Sequence, residues 1–253
     1  MGDFVGFAPK TWGGFLSPYQ WDVGLRIALQ PEGDLLAIAL TDGDVTLRHA
    51  NSGSETARLP HHGVTATAIT FSPNGRLLVT GDENGSIHLW HSDGDGKWNA
   101  AITRKGEKDE SADNVLSMSS RVTSLAISKD ARYLAAASDE GSTVGSVMSC
   151  LDHPRQILFS PDGALVATAC GDDGVHLYDA LTYEQRLFVG GDFPLAIAFS
   201  SYSQVLSIPA YQKGSLRLWN VASNRELAVL KLSKRAQWVG FLDGSDTLIA
   251  ASE

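Results

Sequence analysis

One segment of this chain returns along its length, and that repetition limits the possible folds more than any other feature. Phe71-Ser72-Pro73-Asn74-Gly75-Arg76-Leu77-Leu78 reappears as Phe159-Ser160-Pro161-Asp162-Gly163-Ala164-Leu165-Val166. Weaker copies are Leu29-Gln30-Pro31-Glu32-Gly33-Asp34-Leu35-Leu36 and Ile127-Ser128-Lys129-Asp130-Ala131-Arg132-Tyr133-Leu134, and two more begin at Phe199 and Phe241. The step is 42 residues from 29 to 71, 40 from 159 to 199, and 42 from 199 to 241. A unit of that length is one supersecondary element that must stack on neighbours to hide its apolar faces.

Each copy follows the same internal order. A short apolar strand meets the Ser-Pro-Asn/Asp-Gly element, whose Pro and Gly preset a tight turn. A small, apolar second strand follows, such as Leu77-Leu78-Val79-Thr80 or Leu165-Val166-Ala167-Thr168. Then comes a Gly-containing turn: Asp42-Gly43, Asn84-Gly85, Asp173-Gly174 or Lys213-Gly214. Asp-Gly and Asn-Gly supply the positive φ that a two-residue hairpin needs. The third strand alternates, as in Ser86-Ile87-His88-Leu89-Trp90 and Ser215-Leu216-Arg217-Leu218-Trp219, which is the pattern of a half-buried strand. A more polar fourth strand, as at Arg225 to Leu230, ends the unit. Four such strands stacked radially against the next four bury both faces and leave only short edges.

These residues resemble the WD-repeat family over roughly residues 25 to 251. The family's Trp-Asp pair at the end of the third strand stands here as Trp90-His91, Tyr178-Asp179 and Trp219-Asn220, with Arg48-His49 in the first repeat. Its Gly-His element is reduced to His61-His62-Gly63, and its turn Asp persists at Asp42 and Asp173 but gives way to Asn84 and Lys213. The resemblance implies an all-β β-propeller of about five to six four-stranded blades acting as a scaffold for other proteins. It also implies that one of His61 and His62 serves as the family's structural histidine.

Two blades depart from the pattern. Between 127 and 159 the step is only 32 residues, too short for a full third blade, and the last repeat supplies two strands before Glu253. The ring is therefore expected to be incompletely closed, with residues 1–24 as a candidate ring-closing segment beside a propeller over 25–253. A truncated or spliced product would leave the same shortened last repeat. The step from 71 to 127 is 56 residues and contains a polar stretch, read as a mobile insertion over 104–120 that joins a fourth strand to the next blade.

Composition narrows the partners. A formal net charge of -9 and a pI near 5.2 repel phosphate backbones and anionic lipid, so neither direct nucleic-acid binding nor membrane docking is expected. The longest purely apolar run, Leu35 to Leu40, is far too short to span a bilayer. The N-terminus lacks a basic region followed by an apolar core, and Gly6 stands where a myristoylation signal wants Ser or Thr. Cys150 and Cys170 are the only cysteines, which favours a reducing, intracellular address, cytoplasmic or nuclear.

No sequence motif for catalysis, a metal or a cofactor stands out. Cys150, His153, Cys170 and His176 suggest a zinc set, but the two cysteines are expected at strand ends on opposite rims. That puts them roughly 15 Å apart at ~3.3 Å per residue, whereas zinc ligands converge at about 2.3 Å from one ion. Both cysteines are read as small apolar strand residues. There is no Gly-x-Ser-x-Gly, His-Glu-x-x-His or phosphate loop. The candidate binding residues are the acids that recur in the turns, namely Asp42, Asp82, Glu83, Asp139, Glu140, Asp172 and Asp173. These are either plain turn formers or an acidic rim around the channel that steers basic segments. His61 and His62 lie on the same rim, and Phe193, Tyr211 and Trp238 are the candidate aromatic anchors.

Overall fold

The computed structural model describes residues 26–100, 115–140 and 154–252, apart from positions 32, 41, 60–62, 172–173, 192, 211–213, 235, 243–244 and 246. The described residues form six antiparallel sheets in chain order. Sheet 1 holds β1 (Arg26–Leu29), β2 (Leu35–Ala39), β3 (Val45–His49) and β4 (Glu55–Leu59). Sheet 2 holds β5 (Ala66–Phe71), β6 (Leu77–Asp82), β7 (Ser86–Ser92), β8 (Trp98–Ala100) and β9 (Val115–Ser117). Sheet 3 holds β10 (Val122–Ile127) and β11 (Leu134–Ser138). Sheet 4 holds β12 (Pro154–Phe159), β13 (Leu165–Cys170), β14 (Gly174–Asp179) and β15 (Gln185–Gly190). Sheet 5 holds β16 (Ala198–Phe199), β17 (Val205–Ala210), β18 (Ser215–Asn220) and β19 (Arg225–Lys231), and sheet 6 holds β20 (Ala236–Phe241) and β21 (Leu248–Ser252).

Burial explains the grammar of each repeat. Second strands are buried almost end to end, as in β6, β13 and β17, because both of their faces meet a neighbouring sheet. They therefore use small residues such as Ala167, Ala169 and Gly81. A Cβ on Gly81 would lie 2.5 Å from Val122 Cγ1, so sheets 2 and 3 meet through a position that admits no side chain. Outermost strands are the opposite: β19 is exposed at every position but Ala228.

The interior is a series of cores, one at each junction. Val45, Leu47 and Leu59 of sheet 1 pack with Ile69, Phe71, Leu78 and Trp90 of sheet 2. Val79 and Ile87 of sheet 2 meet Val122, Leu125 and Ala136 of sheet 3. Ala135 and Ala137 meet Ile157, Val166 and Tyr178 of sheet 4. Leu177, Leu187 and Val189 meet Ile197, Leu206 and Ile208 of sheet 5, and Leu216 meets Ala236 and Val239 of sheet 6. Radial stacking is thus the source of the apolar burial that holds the chain together.

A bulge recurs near the start of the innermost strand in sheets 2, 3, 4 and 6. A bulge re-aims a side chain away from the normal alternation. In sheet 2 the bulged Thr67 donates its hydroxyl to Val122 O at 2.6 Å, and in sheet 3 Thr123 donates to Pro154 O at 2.7 Å. Each hydroxyl binds the first residue of the next sheet's inner strand. The same edge carries Ile157 N–H donating to Ser124 Oγ (3.1 Å) and Ile197 N–H donating to Gln156 Oε1 (2.7 Å). Polar stitching around the channel therefore supplements the apolar junctions.

Two expectations are adjusted. Val115–Ser117 is a strand, and it pairs with the top of β7 (Ser86 to His88) while β8 pairs with its lower part (Trp90 to Ser92). The fourth-strand position of sheet 2 is thus shared by β8 and β9, both paired with β7. Positions 104–114 lie outside the described residues. Sheets 3 and 6 show two strands each among the described residues, and 1–24 and 141–153 lie outside them.

Candidate interaction rims

The meander fixes which turns share a rim. Turns between second and third strands, and connections from one sheet to the next, fall on one side, called here the upper rim. Turns between first and second strands, and between third and fourth, fall on the lower rim.

On the upper rim the recurring acids sit in unlike surroundings. Asp42 Oδ2 accepts from Arg58 Nη2 at 2.7 Å and Asp44 Oδ2 accepts from Arg58 Nε at 2.5 Å, so the first turn is closed by its own arginine. The hydrogen bond to Asp44, followed by the nearby carboxylates, holds the Arg58 guanidinium above its ordinary pKa. Asp82 is the exception to the acidic-rim expectation: its residue is only 2% exposed. Its Oδ1 accepts from Asn84 N and Ser86 N, both at 2.8 Å, and Oδ2 lies 3.8 Å from His88 Nε2. A buried carboxylate committed to backbone donors is part of the frame, not a steering charge. Asp139 is half-buried and its amide donates to Arg121 O. Glu83 and Glu140 are exposed and form no ion pair among the described residues.

The aromatic anchors also separate. Phe193 is half-buried with φ at +43°, in the connection leading to sheet 5. Trp238 lies within β20, and its ring covers Gly240, where a Cβ would meet Trp238 Cζ2 at 2.4 Å. That makes Trp238 an inner-strand packing residue and not a residue of a rim turn. His61, His62, Asp172, Asp173 and Tyr211 lie outside the described residues.

Cys170, buried at the end of β13, is disulfide-bonded. The expectation of a free, small apolar side chain there is not met, and a bonded sulfur offers no thiolate to zinc. Among the described residues, no group of three or more His, Cys, Asp and Glu is placed to hold a metal ion.

The lower rim is built from one turn used repeatedly. Ser72 N–H donates to Leu77 O, Gly75 N–H returns to Ser72 O, and Leu77 N–H donates to Ser72 Oγ at 2.9 Å. Ser128 with Tyr133, Ser160 with Leu165, and Ser200 with Val205 repeat the arrangement at 2.9–3.0 Å. In sheets 2 to 5 the buried serine thus replaces water for an amide at the head of the second strand. Acids in these turns are engaged locally. The hydrogen bond from Ser128 Oγ, then that from Arg132 N, holds Asp130 below the usual carboxylate range. Arg186 at 2.8 Å, with the amides of Thr182 and Leu181, holds Asp179 far below it.

Residues 53–91, 114–144 and 141–179 match the family model "WD domain, G-beta repeat". The chain is similar to telomerase protein component 1 of Mus musculus (25% identity, 86% of this chain, 9% of that protein). It is similar to pre-mRNA-processing factor 19 homolog 2 of Arabidopsis thaliana (25% identity, 87% of this chain, 42% of that protein). It also resembles apoptotic protease-activating factor 1 of Danio rerio (24% identity, 75% of this chain, 15% of that protein). The chain therefore spans less than half the length of each of these relatives. A chain from the "Crystal Structure of Mitotic Checkpoint Complex" superposes with a TM-score of 0.74 at 16% identity, covering 100% of this chain and 78% of that one. Radial sheets and repeated lower-rim turns define this chain as a β-propeller, and its repeats at 53–91, 114–144 and 141–179 match the WD-domain model.

Sequence reading missed the inter-sheet bonds of Thr67 and Thr123, because nothing in a strand's alternation announces a bulge. Asp82 was misread for a related reason. It carries the same turn-acid signature as Asp42, and only the packing of sheet 2 buries it.

Proposed function

We propose that this chain is a non-catalytic scaffold that presents its rims to other proteins within a larger assembly, without a cofactor and without direct contact to nucleic acid or membrane. One observation carries the reading: strand faces are consumed in sheet-to-sheet cores, which leaves the described turns of both rims as the surface open to partners. The relatives support it, since the solved propeller it resembles comes from a multi-protein checkpoint complex. Among the described residues, no helix is long and apolar enough to cross a membrane. In this reading the chain works inside the cell, and residues 1–24 complete the incomplete sixth sheet.

The test is affinity capture from cell extract followed by size-exclusion chromatography of the eluate. Discrete partner proteins should co-elute at stoichiometric ratios. Recovery of the chain alone at every salt concentration would sink the reading.

A narrower second reading has a specific observation behind it: the exposed Glu83 and Glu140 of neighbouring sheets 2 and 3 on the upper rim. They would attract a basic segment, with binding that weakens steeply as ionic strength rises. A Glu83→Lys/Glu140→Lys variant should lose a lysine-rich peptide that the native chain binds. Asp82 is unsuitable for such a reversal because it is buried in the frame.

A further inference from the structure

We propose that Asn84, on the upper rim, is a modification site: it deamidates spontaneously under the control of the fold and adds a negative charge to the turn of sheet 2. The proposal goes beyond the scaffold reading and does not rest on it.

The chain contains the dipeptide Asn-Gly twice, as Asn74-Gly75 and as Asn84-Gly85. In such a pair the glycine amide nitrogen can attack the side-chain carbonyl carbon of the asparagine, because glycine has no Cβ to obstruct the approach. The new C–N bond closes a succinimide ring. The C–N bond to the side-chain nitrogen breaks, and that nitrogen leaves as ammonia with the proton given up by the glycine amide. Water then opens the ring at either carbonyl, leaving aspartate or isoaspartate. The sequence needs no oxidant, metal or second protein.

The fold sets the two pairs apart. Asn74 is held, since its Oδ1 accepts from Ser72 Oγ at 2.7 Å and from Arg76 N at 3.1 Å. Its nucleophile is held too: Gly75 N–H donates to Ser72 O at 2.8 Å, and Gly75 O accepts from Gln30 Nε2 at 2.8 Å. Ring closure there has to break bonds on both reacting groups. Asn84 is exposed, and its side chain makes no hydrogen bond among the described residues. Its turn is fixed through the backbone, by Asn84 N and Ser86 N donating to Asp82 Oδ1. Gly85 N–H is also held more loosely, reaching Asp82 O at 3.3 Å. One hydrogen bond that must be released is worth up to roughly tenfold in rate. Asn74 is protected and Asn84 is not.

Both products alter this blade. Asn84 adjoins the exposed Glu83, so the rim gains a carboxylate beside one it already has. Isoaspartate also inserts a methylene into the main chain just before Gly85. That glycine is wedged: a Cβ on it would overlap Met118 O, and Met118 N–H donates to Gly85 O at 2.8 Å. A main chain longer by one carbon displaces this contact and loosens the adjoining ladder between Ser86–His88 and β9.

The experiment is a time course of the full chain in neutral buffer, digested and read by mass spectrometry at both dipeptides. Asn84 should convert roughly tenfold faster than Asn74, giving aspartate and isoaspartate together. In the urea-unfolded chain the two rates should converge, because the hydrogen bonds that separate them are gone. Amide hydrogen exchange at Met118 should quicken in the aged native chain and stay unchanged in an Asn84→Asp chain, which carries the charge without the methylene. Equal rates in the folded chain, faster conversion at Asn74, or a difference that persists in urea would each overturn the proposal. Unchanged Met118 exchange in the aged chain would overturn the loosening of β9. Neither the co-elution experiment nor the lysine-rich peptide depends on this conversion, so a failure here leaves those readings standing.

Discussion

Sheets 2 and 5 carry the same tryptophan at the same register and treat it differently. Trp90 pairs with Leu78 across the second and third strands, and Trp219 pairs with Leu206. In sheet 2, Trp90 Nε1 donates to Thr80 Oγ1 at 3.2 Å. In sheet 5 the matching position is Ile208, and Trp219 Nε1 is buried with no hydrogen-bond partner among the described residues. Arg217 covers that ring instead, its guanidinium 5.2 Å from the ring centre and its Nε bonded to Glu226. Two positions further along the second strand, sheet 2 has Asp82 closing the turn, whereas sheet 5 has Ala210.

The inner edge differs as well. Pro209 occupies the register of Gly81, and a proline cannot donate to a ladder. The inner strand β16 accordingly spans two residues where β5 spans six, and Ile197 N–H turns to Gln156 of sheet 4. One architecture is thus held by internal polar bonds in sheet 2 and by packing and neighbours in sheet 5.

Substitutions can move either sheet toward the other. The largest effect is expected from Asp82→Ala, which gives sheet 2 the alanine of sheet 5. It strips the acceptor from Asn84 N and Ser86 N in a buried turn and should cost about 3 kcal/mol in urea unfolding. A cost near zero would mean that the turn is held by packing alone. Gly81→Ala should follow, at about 1–3 kcal/mol, because the new methyl overlaps buried Val122. Thr80→Val, nearly the same shape, orphans the Trp90 indole and should cost about 1–2 kcal/mol.

The reverse change, Ile208→Thr, should leave stability within about 1 kcal/mol, since a gained hydrogen bond offsets lost apolar burial. Its signature is slowed hydrogen exchange at the Trp219 indole; unchanged exchange would break the parallel. The smallest effect is at the exposed edge of sheet 4. The folded-state pKa of Asp179 is depressed below its unfolded value, so its contribution is present above about pH 4 and lost as pH falls toward the folded value. The thermal midpoints of Asp179→Asn and the native chain should differ at pH 7, with a gap that begins to narrow only as pH falls below about 4.

Much of the fold could be read before any coordinates. The spacing of Phe71, Phe159, Phe199 and Phe241 located the repeats, and the Pro-Gly and Asp-Gly turns placed the strands between them. Those signals are local: backbone dihedrals and alternation depend on residues a few positions apart. The rims were read less well. Glu83 and Glu140 are exposed in their turns, but Asp82 is buried and Trp238 belongs to an inner strand. The exposed Tyr133, Leu181 and Tyr202 went unnoticed, because a single apolar residue in a turn looks the same whether it is covered or not.

By itself, then, the sequence determined the repeat, the turn chemistry, the strand order within each unit and the all-β class. Tertiary structure alone decided which turn acids remain as free charges, that Thr67 and Thr123 stitch one sheet to the next, and that β9 shares the fourth-strand position of sheet 2 with β8. Each of those depends on atoms contributed by a neighbouring sheet or by a strand far along the chain, and solvent exposure is set by what packs alongside, not by what comes next in sequence.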